Sequence, residues 1–303
     1  MKFEVTILGS SSATPIFNRN PSAQLLNVNE KFFLIDCGEA TQQQMLHFGI
    51  KAQRIEHIFI SHLHGDHYLG LIGLLSSLHL NGRIKPIHLY APPELQEILN
   101  LQFKYSETQL RYPLNFHNTQ SNISEVIFES SDMIVETIIL SHRIPCTGFK
   151  FMAKKRLPKI SKEKIAELLI PVEQIPLIKR GHPFTDRFGK IHEAKDISSP
   201  ADEPKSYAYC SDTVCSWNYL DQIKNVNLLY HEATFMHDMA DRALETLHTT
   251  ALQAGEVALK ANVNKLMIGH FSARYKDLKP LLAECQSVFP NTVLAVEGET
   301  IEV

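Results

Sequence analysis

A two-sheet α/β sandwich flanked by helices, interrupted by one basic insertion, is the fold class that these 303 residues predict. Three observations point to it. Strand-like runs crowd the first part of the chain, strands and helices alternate after about residue 205, and the hydrophobic pattern breaks down between about 150 and 200. A chain of this length can bury a full core, so one domain spanning 1–303 is expected, with 150–190 as a flexible inserted arm.

The elements follow in order. KFEVTILG alternates as a strand, and QLLNV and KFFLIDCG read as two more separated by Asn29-Glu30. EATQQQMLHFGI is a short helix stopping near Gly49, and RIEHIFIS is a strand that runs straight into a histidine cluster. YLGLIGLLSSLHLNG gives a helix ended by Asn81-Gly82. PIHLYAP is a strand, and PELQEILNLQFKY is a helix with Pro93 at its start. EVIFES and DMIVETIILSH are strands joined by a Ser-Ser-Asp turn. In the insertion, one amphipathic helix is predicted over roughly 161–169, between proline-rich extended pieces. Beyond it come SYAYCSD and NVNLLYHEA (strands), TTALQAGEVALKA (helix), NKLMIGH (strand), DLKPLLAECQSVF (helix) and TVLAVEGETIEV as one terminal strand.

Composition narrows the class. The hydrophobic share is 44% and the charged share 21%, ordinary for a globular protein. No apolar run approaches the roughly 20 residues of a membrane span, and the opening residues are too short and strand-like for a signal peptide. A cytoplasmic protein that does not enter a membrane is expected. Cys37, Cys146, Cys210, Cys215 and Cys285 are odd in number and scattered without a C-x-x-C pair, which suits reduced, mostly buried thiols. The formal net charge of −3 argues against a nucleic-acid partner, but residues 150–190 hold eleven Lys and Arg against four acids. Such a segment is either a docking element for a polyanion or a solvated charged face.

Chemistry concentrates in ISHLHGDHYLGL, residues 60–71, where His62, His64, Asp66 and His67 fall within six positions. His62 and His64, two apart at a strand end, can point the same way. Gly65 allows a tight turn with unusual backbone angles that re-aims Asp66 and His67. Four ligands so close cannot all reach one tetrahedral zinc without strain, whereas two adjacent metals relieve the problem. His142 closes IILSH, Asp212 closes YAYCSD and His270 closes LMIGH, each after a hydrophobic strand and before a loop. Seven residues delivered from four strand ends suggest a binuclear site. His79, His88 and His117 lie outside any ligand-like context and are expected to be structural or surface residues. Trp217 is expected in packing, Cys210 and Cys215 as buried thiols, and Phe184 and Phe188 as apolar anchors of the arm in preference to RNA-stacking rings.

His62-x-His64-x-Asp66-His67 with His142, Asp212 and His270 resembles the metallo-β-lactamase superfamily, which implies an αββα sandwich. By that resemblance His62, His64 and His142 bind one zinc, Asp66, His67 and His270 bind the second, and Asp212 bridges them, giving two Zn2+ per chain. YHEATF, LHTTALQAG, KFFLIDCGEATQQQ and IGHFSARY are similar to ribonuclease Z in its short form, over about residues 3–300. The resemblance implies a zinc-dependent endoribonuclease that removes the 3′ trailer of precursor tRNA. Metal-activated water attacks the phosphodiester and a 3′-hydroxyl is left on the tRNA. Glu232 and His248 would then handle proton transfer, with His248 near the departing 3′ oxygen and Glu232 orienting it. Taken alone, His248 is a histidine near the N-cap of the following helix. Asp66, as a ligand beside the water, is the expected general base.

The same family carries a protruding basic arm, the exosite, that grips tRNA, and residues 150–190 occupy the matching place. In its homodimeric short forms the arm of one subunit serves tRNA held at the other, so a homodimer is expected. Two departures from the family stand out. The P-x-K-x-R-N loop, associated with rejecting CCA tails, is Pro15-Ile16-Phe17-Asn18-Arg19-Asn20, with Phe17 in place of lysine. The arm shows EQIPLIKRG instead of the usual Gly-Pro tip. The alternative reading is a hydrolase of the same fold acting on a small ester, sulfate ester or cyclic phosphodiester.

Overall fold

A computed structural model describes residues 2–16, 18–201 and 203–303, so Phe17 lies outside the described residues. Among these, the strands form two seven-stranded sheets and two short ribbons. Two compact units result: Met1–Glu129 with Ile134–Phe151 and Lys205–Val303, and a smaller one of Ser130–Met133 with Met152–Pro204.

In the larger unit, the first sheet runs in the order Thr300–Glu302, Phe3–Gly9, Ala23–Val28, Lys31–Ile35, Ile55–Phe59, Ile87–Ala91, Leu114–Asn118. Pairing is antiparallel up to Lys31–Ile35 and parallel from there to the edge. The second sheet runs Thr292–Leu294, Lys265–Gly269, Leu228–Glu232, Ser206–Cys210, Thr147–Ala153, Met133–Ile139, Val126–Glu129, and its first four strands are parallel. Parallel strands need crossovers, and the intervening helices supply them, which leaves these strands buried on both faces and reading as nearly continuous apolar runs.

Strand alternation sorts side chains into layers. Phe33 and Phe59 of the first sheet meet Phe149 and Phe151 of the second edge-on, with ring centroids 5.2–6.0 Å apart, so the two sheets pack face to face. Leu34, Ile58 and Leu89 turn the other way, onto Leu71, Leu75 and Leu78 of the helix Leu71–Leu80 and onto Leu95 and Leu99 of Glu94–Tyr105. Ala208, Leu229 and Ile268 likewise turn outward onto Ala254, Val257 and Ala258 of the helix Ala251–Lys260 and onto Leu281 and Cys285 of Lys279–Gln286. The order is helix, sheet, sheet, helix. Thr250 starts Ala251–Lys260 with a capping box: its side chain accepts from the Gln253 N–H while Gln253 accepts from the Thr250 N–H.

Four local expectations are corrected. Gly65 opens a helical turn, Gly65–Tyr68, and adopts no positive φ; that turn carries Asp66 and His67. A Cβ there would come within 2.7 Å of the half-exposed Leu69 side chain, which would have to swing aside. The terminal stretch is two strands in opposite sheets, Thr292–Leu294 and Thr300–Glu302, because Gly298 at φ +85 turns the chain between them. Trp217 is 45% exposed and carries the Lys260 ammonium 3.5 Å from its ring centroid, a surface cation–π pair. Cys215 is only half-buried, whereas the other four cysteines are buried, and none forms a disulfide.

The smaller unit has its own core of Ile170, Ile178, Phe184, Ala194 and Ile197. It contains the anticipated helix as Lys162–Glu167, capped by Ser161, and a second, Ile175–Lys179, started by Pro176. Lys159–Ile160 pairs with Ser198–Ser199 and Phe184–Thr185 with Ile191–His192, so the segment closes on itself near 204 and not near 190. Phe184 is a buried anchor, as expected. Phe188 is not: it is 80% exposed, with the Arg187 guanidinium 4.7 Å from its ring centroid.

Candidate metal centre

The strand ends deliver their side chains to one place. Ile55–Phe59 leads to His62 and His64, Met133–Ile139 to His142, Ser206–Cys210 to Asp212 and Lys265–Gly269 to His270. The ligand atoms of His62, His64, His142 and Asp212 lie within 4.8 Å of one another, as do those of Asp66, His67 and His270. His64 Nδ1 is 3.0 Å from His62 Nε2 and 3.1 Å from His142 Nε2. Asp212 spans the two groups. Its Oδ2 faces His62 and His142 Nε2 at 3.6 and 3.7 Å, and its Oδ1 faces His67 and His270 Nε2 at 3.3 and 3.1 Å.

The outward ring nitrogens set the inward ones. His67 Nδ1 lies 2.7 Å from Asp36 Oδ2, His142 Nδ1 3.0 Å from the Leu247 carbonyl, His270 Nδ1 3.0 Å from Thr234 Oγ1, and His62 Nδ1 3.0 Å from Ser61 Oγ. The Ser61 and Thr234 hydroxyls donate onward to Asp36 and Glu232, so they accept from the rings. A proton held at each Nδ1 leaves Nε2 as a lone pair aimed inward, which is how metal-binding histidines are prepared. His67 Nε2 is buried with no hydrogen-bond partner. Lone pairs facing each other at about 3 Å repel unless a cation sits between them, and a tetrahedral zinc with ligand distances of about 2.0–2.1 Å places its donors about 3.3 Å apart. Imidazoles and carboxylates of this number and spacing fit two such ions.

Burial favours the neutral Asp66 and Asp212 carboxyls, but positive charge on the facing rings, His67 and His270 for Asp66 and His270, His67 and His62 for Asp212, outweighs it and holds both well below the usual range. With those rings neutral and their lone pairs inward, a cation among the donors would have to supply that charge.

Beside the centre stands a second pair. Glu232 is fully buried and accepts from the Thr213 N–H at 2.9 Å, the Thr234 hydroxyl at 2.6 Å and His248 Nδ1 at 2.8 Å. Burial lowers the His248 pKa, but the Glu232 carboxylate outweighs it and lifts the ring to about 9. His248 also falls within 4.8 Å of Asp212 and His270, yet its Nδ1 is committed to Glu232. Asp66, His64, Asp212, His248, His270 and Arg143 line one cavity of about 420 Å³. His88 and His117 lie elsewhere, bonded to each other at 3.0 Å and stacked near His57 and Tyr90, and His79 accepts from the Arg111 N–H.

Sequence reasoning missed Asp36, Ser61 and Thr234. Asp36, at φ 55, takes donors from Ser61, His67 and Tyr209, the last at 2.6 Å from the opposite sheet. An aspartate closing KFFLID before Cys37-Gly38 was the one available signal.

Residues 3–156, half of the chain, match the family described as Anti-Pycsar protein Apyc1. Over 304 residues the sequence is 48% identical to ribonuclease Z of Cytophaga hutchinsonii, covering 100% of this chain and 97% of that protein. The fold is similar to the crystal structure of human tRNase Z, short form (ELAC1), with TM-score 0.71, 25% identity and 99% of each chain covered. It is also similar to the metallo-β-lactamase fold protein YhfI of Bacillus subtilis, with TM-score 0.70, 18% identity and 100% of both chains covered, a likeness of fold alone. With two facing sheets and this His/Asp constellation, the chain belongs to the Apyc1 family over its first half and, over its whole length, to the ribonuclease Z family of the metallo-β-lactamase fold.

Proposed function

We propose that this protein is an endoribonuclease that removes the 3′ trailer of precursor tRNA, using two zinc ions held in the strand-end cluster. The observation that carries this reading is Asp212, whose two oxygens face two separate sets of inward nitrogens beside the Glu232–His248 pair. His62, His64 and His142 would hold one ion and Asp66, His67 and His270 the other, with Asp212 facing both sets. When bound, the ions supply Lewis-acid polarisation of the phosphodiester and lower the pKa of an attacking water.

The remaining chemistry falls to side chains. Asp66, ionised at neutral pH, takes the proton that the attacking water gives up. His248, protonated through Glu232, delivers a proton to the 3′ oxygen as its bond to phosphorus breaks. The products are a tRNA 3′-hydroxyl and a trailer 5′-phosphate. Arg143, on the cavity wall, is placed to meet a substrate phosphate. Lysines and arginines of residues 152–204 dock the body of the tRNA by phosphate contacts, and exposed Phe188 offers a stacking face. The working form is a homodimer in the cytoplasm. No helix among the described residues is long and apolar enough to cross a membrane.

The reading is tested by two variants. His248→Ala should keep the zinc content of wild type while kcat on precursor tRNA falls about 10³-fold, the size expected for a lost general acid. Loss of zinc in that variant would make His248 a ligand instead. Glu232→Gln removes the charge that holds the His248 pKa near 9. The acid form of His248 is lost as pH rises through that pKa, so the alkaline limb of kcat should move to lower pH by a unit or more. Cations bound nearby lower the limb in both proteins, so the diagnostic is the difference between them. An unmoved limb would remove His248 from the acid role.

A further inference from the structure

The chain segment between Ser10 and Asn20 is fastened at its neck by one carboxylate. Glu297 Oε1 accepts the Asn20 N–H at 2.6 Å and the Ser10 N–H at 3.2 Å, and Oε2 accepts Asn20 Nδ2 and Gln44 Nε2, both at 2.8 Å. The neck is closed further by the Ser10 and Ser11 N–H groups on the Asn20 carbonyl, at 3.0 and 2.9 Å. From there the loop reaches one residue of the cluster and the chain neighbour of another. The Ala13 N–H donates to Asp66 Oδ2 at 2.7 Å. Phe271, which follows His270, exchanges two backbone bonds with the loop: its N–H on the Ser10 carbonyl at 2.9 Å, and its carbonyl under the Ser12 N–H at 3.1 Å. Ala13 and His270 both sit at φ 58, a conformation that a non-glycine residue keeps only when its surroundings impose it.

The reach of the loop is one-sided. Among the described residues, no hydrogen bond joins it to His62, His64 or His142; His62 and His142 are oriented by Ser61 and the Leu247 carbonyl. We infer that Glu297 is a positioning residue for the metal position of Asp66, His67 and His270, acting through the Ser10–Asn20 loop and leaving the other position untouched. The inference rests on the reading that these three residues hold an ion. Without the carboxylate, the Asn20 N–H and Asn20 Nδ2 lose their acceptor, the Ser10 N–H and Gln44 Nε2 keep only the Asn20 and Leu8 carbonyls, and the hold on the N–H that aims Asp66 loosens with them.

The test is zinc titration of the metal-free full-length protein, read by competition with a chromophoric chelator, for wild type, Glu297→Gln and Glu297→Asp. Wild type should take up two zinc ions per chain. Glu297→Gln should bind the first with wild-type affinity and the second about 10- to 100-fold more weakly, the range found when a group behind a metal ligand is removed. Glu297→Asp, which keeps the charge, should recover part of the loss. Should Glu297→Gln fail to fold, Asn20→Ala, which removes only one bond to Oε2, is expected to weaken the second ion selectively to a smaller extent. Equal weakening of both ions, or two unchanged affinities, would overturn the role of Glu297 alone. A wild-type protein that takes up a single zinc would overturn the binuclear reading, and this role with it.

Discussion

Asp212→Ala is expected to strip both metal positions at once and to lower cleavage of precursor tRNA by at least about 10³-fold, or about 4 kcal/mol of transition-state stabilisation. The expectation comes from geometry. Asp212 is the residue whose two oxygens address the two nitrogen sets separately, at 3.6–3.7 Å on one side and 3.1–3.3 Å on the other. Losing it would take a donor from each set and the anionic charge that two cations there would share. His64→Ala, confined to one set, should cost one ion and leave the second bound. Elemental analysis of dialysed protein, with circular dichroism to confirm the fold, separates the cases. Two zinc ions retained in Asp212→Ala would show that it does not bridge.

Excising the smaller unit should have an effect of comparable size on one substrate and little on another. The excision is sterically reasonable because Thr147–Ala153 and Ser206–Cys210 are neighbouring strands of one sheet, so a short linker replacing 152–204 closes the gap. Precursor tRNA cleavage should fall below detection, since the eleven basic residues of 150–190 are withdrawn almost entirely. Hydrolysis of bis(p-nitrophenyl) phosphate, which needs only the cavity, should stay within a few-fold of wild type. In the intact protein, KM for tRNA should rise steeply with salt as displaced counterions return, and KM for the small diester should barely respond. Loss of both activities would mean that residues 152–204 support the fold and not the substrate.

The site was legible because its donors obey local rules. Histidine and aspartate at the ends of apolar strands need no long-range information to be noticed, and all seven converge. What orients them was not legible. Ser61 and Thr234 are ordinary hydroxyls in sequence, and Asp36 acquires meaning only when Tyr209 and His67 arrive from elsewhere. Strand patterns failed for related reasons. LNFHN and TGFKFMA, the strands Leu114–Asn118 and Thr147–Ala153, carry mixed polarity or begin on Thr-Gly, so neither period stood out. The last twelve residues alternate well enough for a single strand, and Glu297-Gly298 divides them because Glu297 is bound to Ser10, Asn20 and Gln44 almost three hundred positions upstream in the case of Ser10. Phe188 was misjudged since an exposed and a buried phenylalanine look alike in an irregular segment.

The central claim is that the cluster cuts precursor tRNA at the start of its 3′ trailer. Its most direct test is incubation of a 3′-extended precursor tRNA with zinc-loaded wild-type protein and mapping of both product ends. A single cut at the trailer junction is expected, with a 3′-hydroxyl on the tRNA and a 5′-phosphate on the trailer, abolished by a chelator and restored by zinc. An intact precursor after incubation with protein that holds two zinc ions per chain, together with turnover of simple esters or cyclic phosphodiesters, would contradict it.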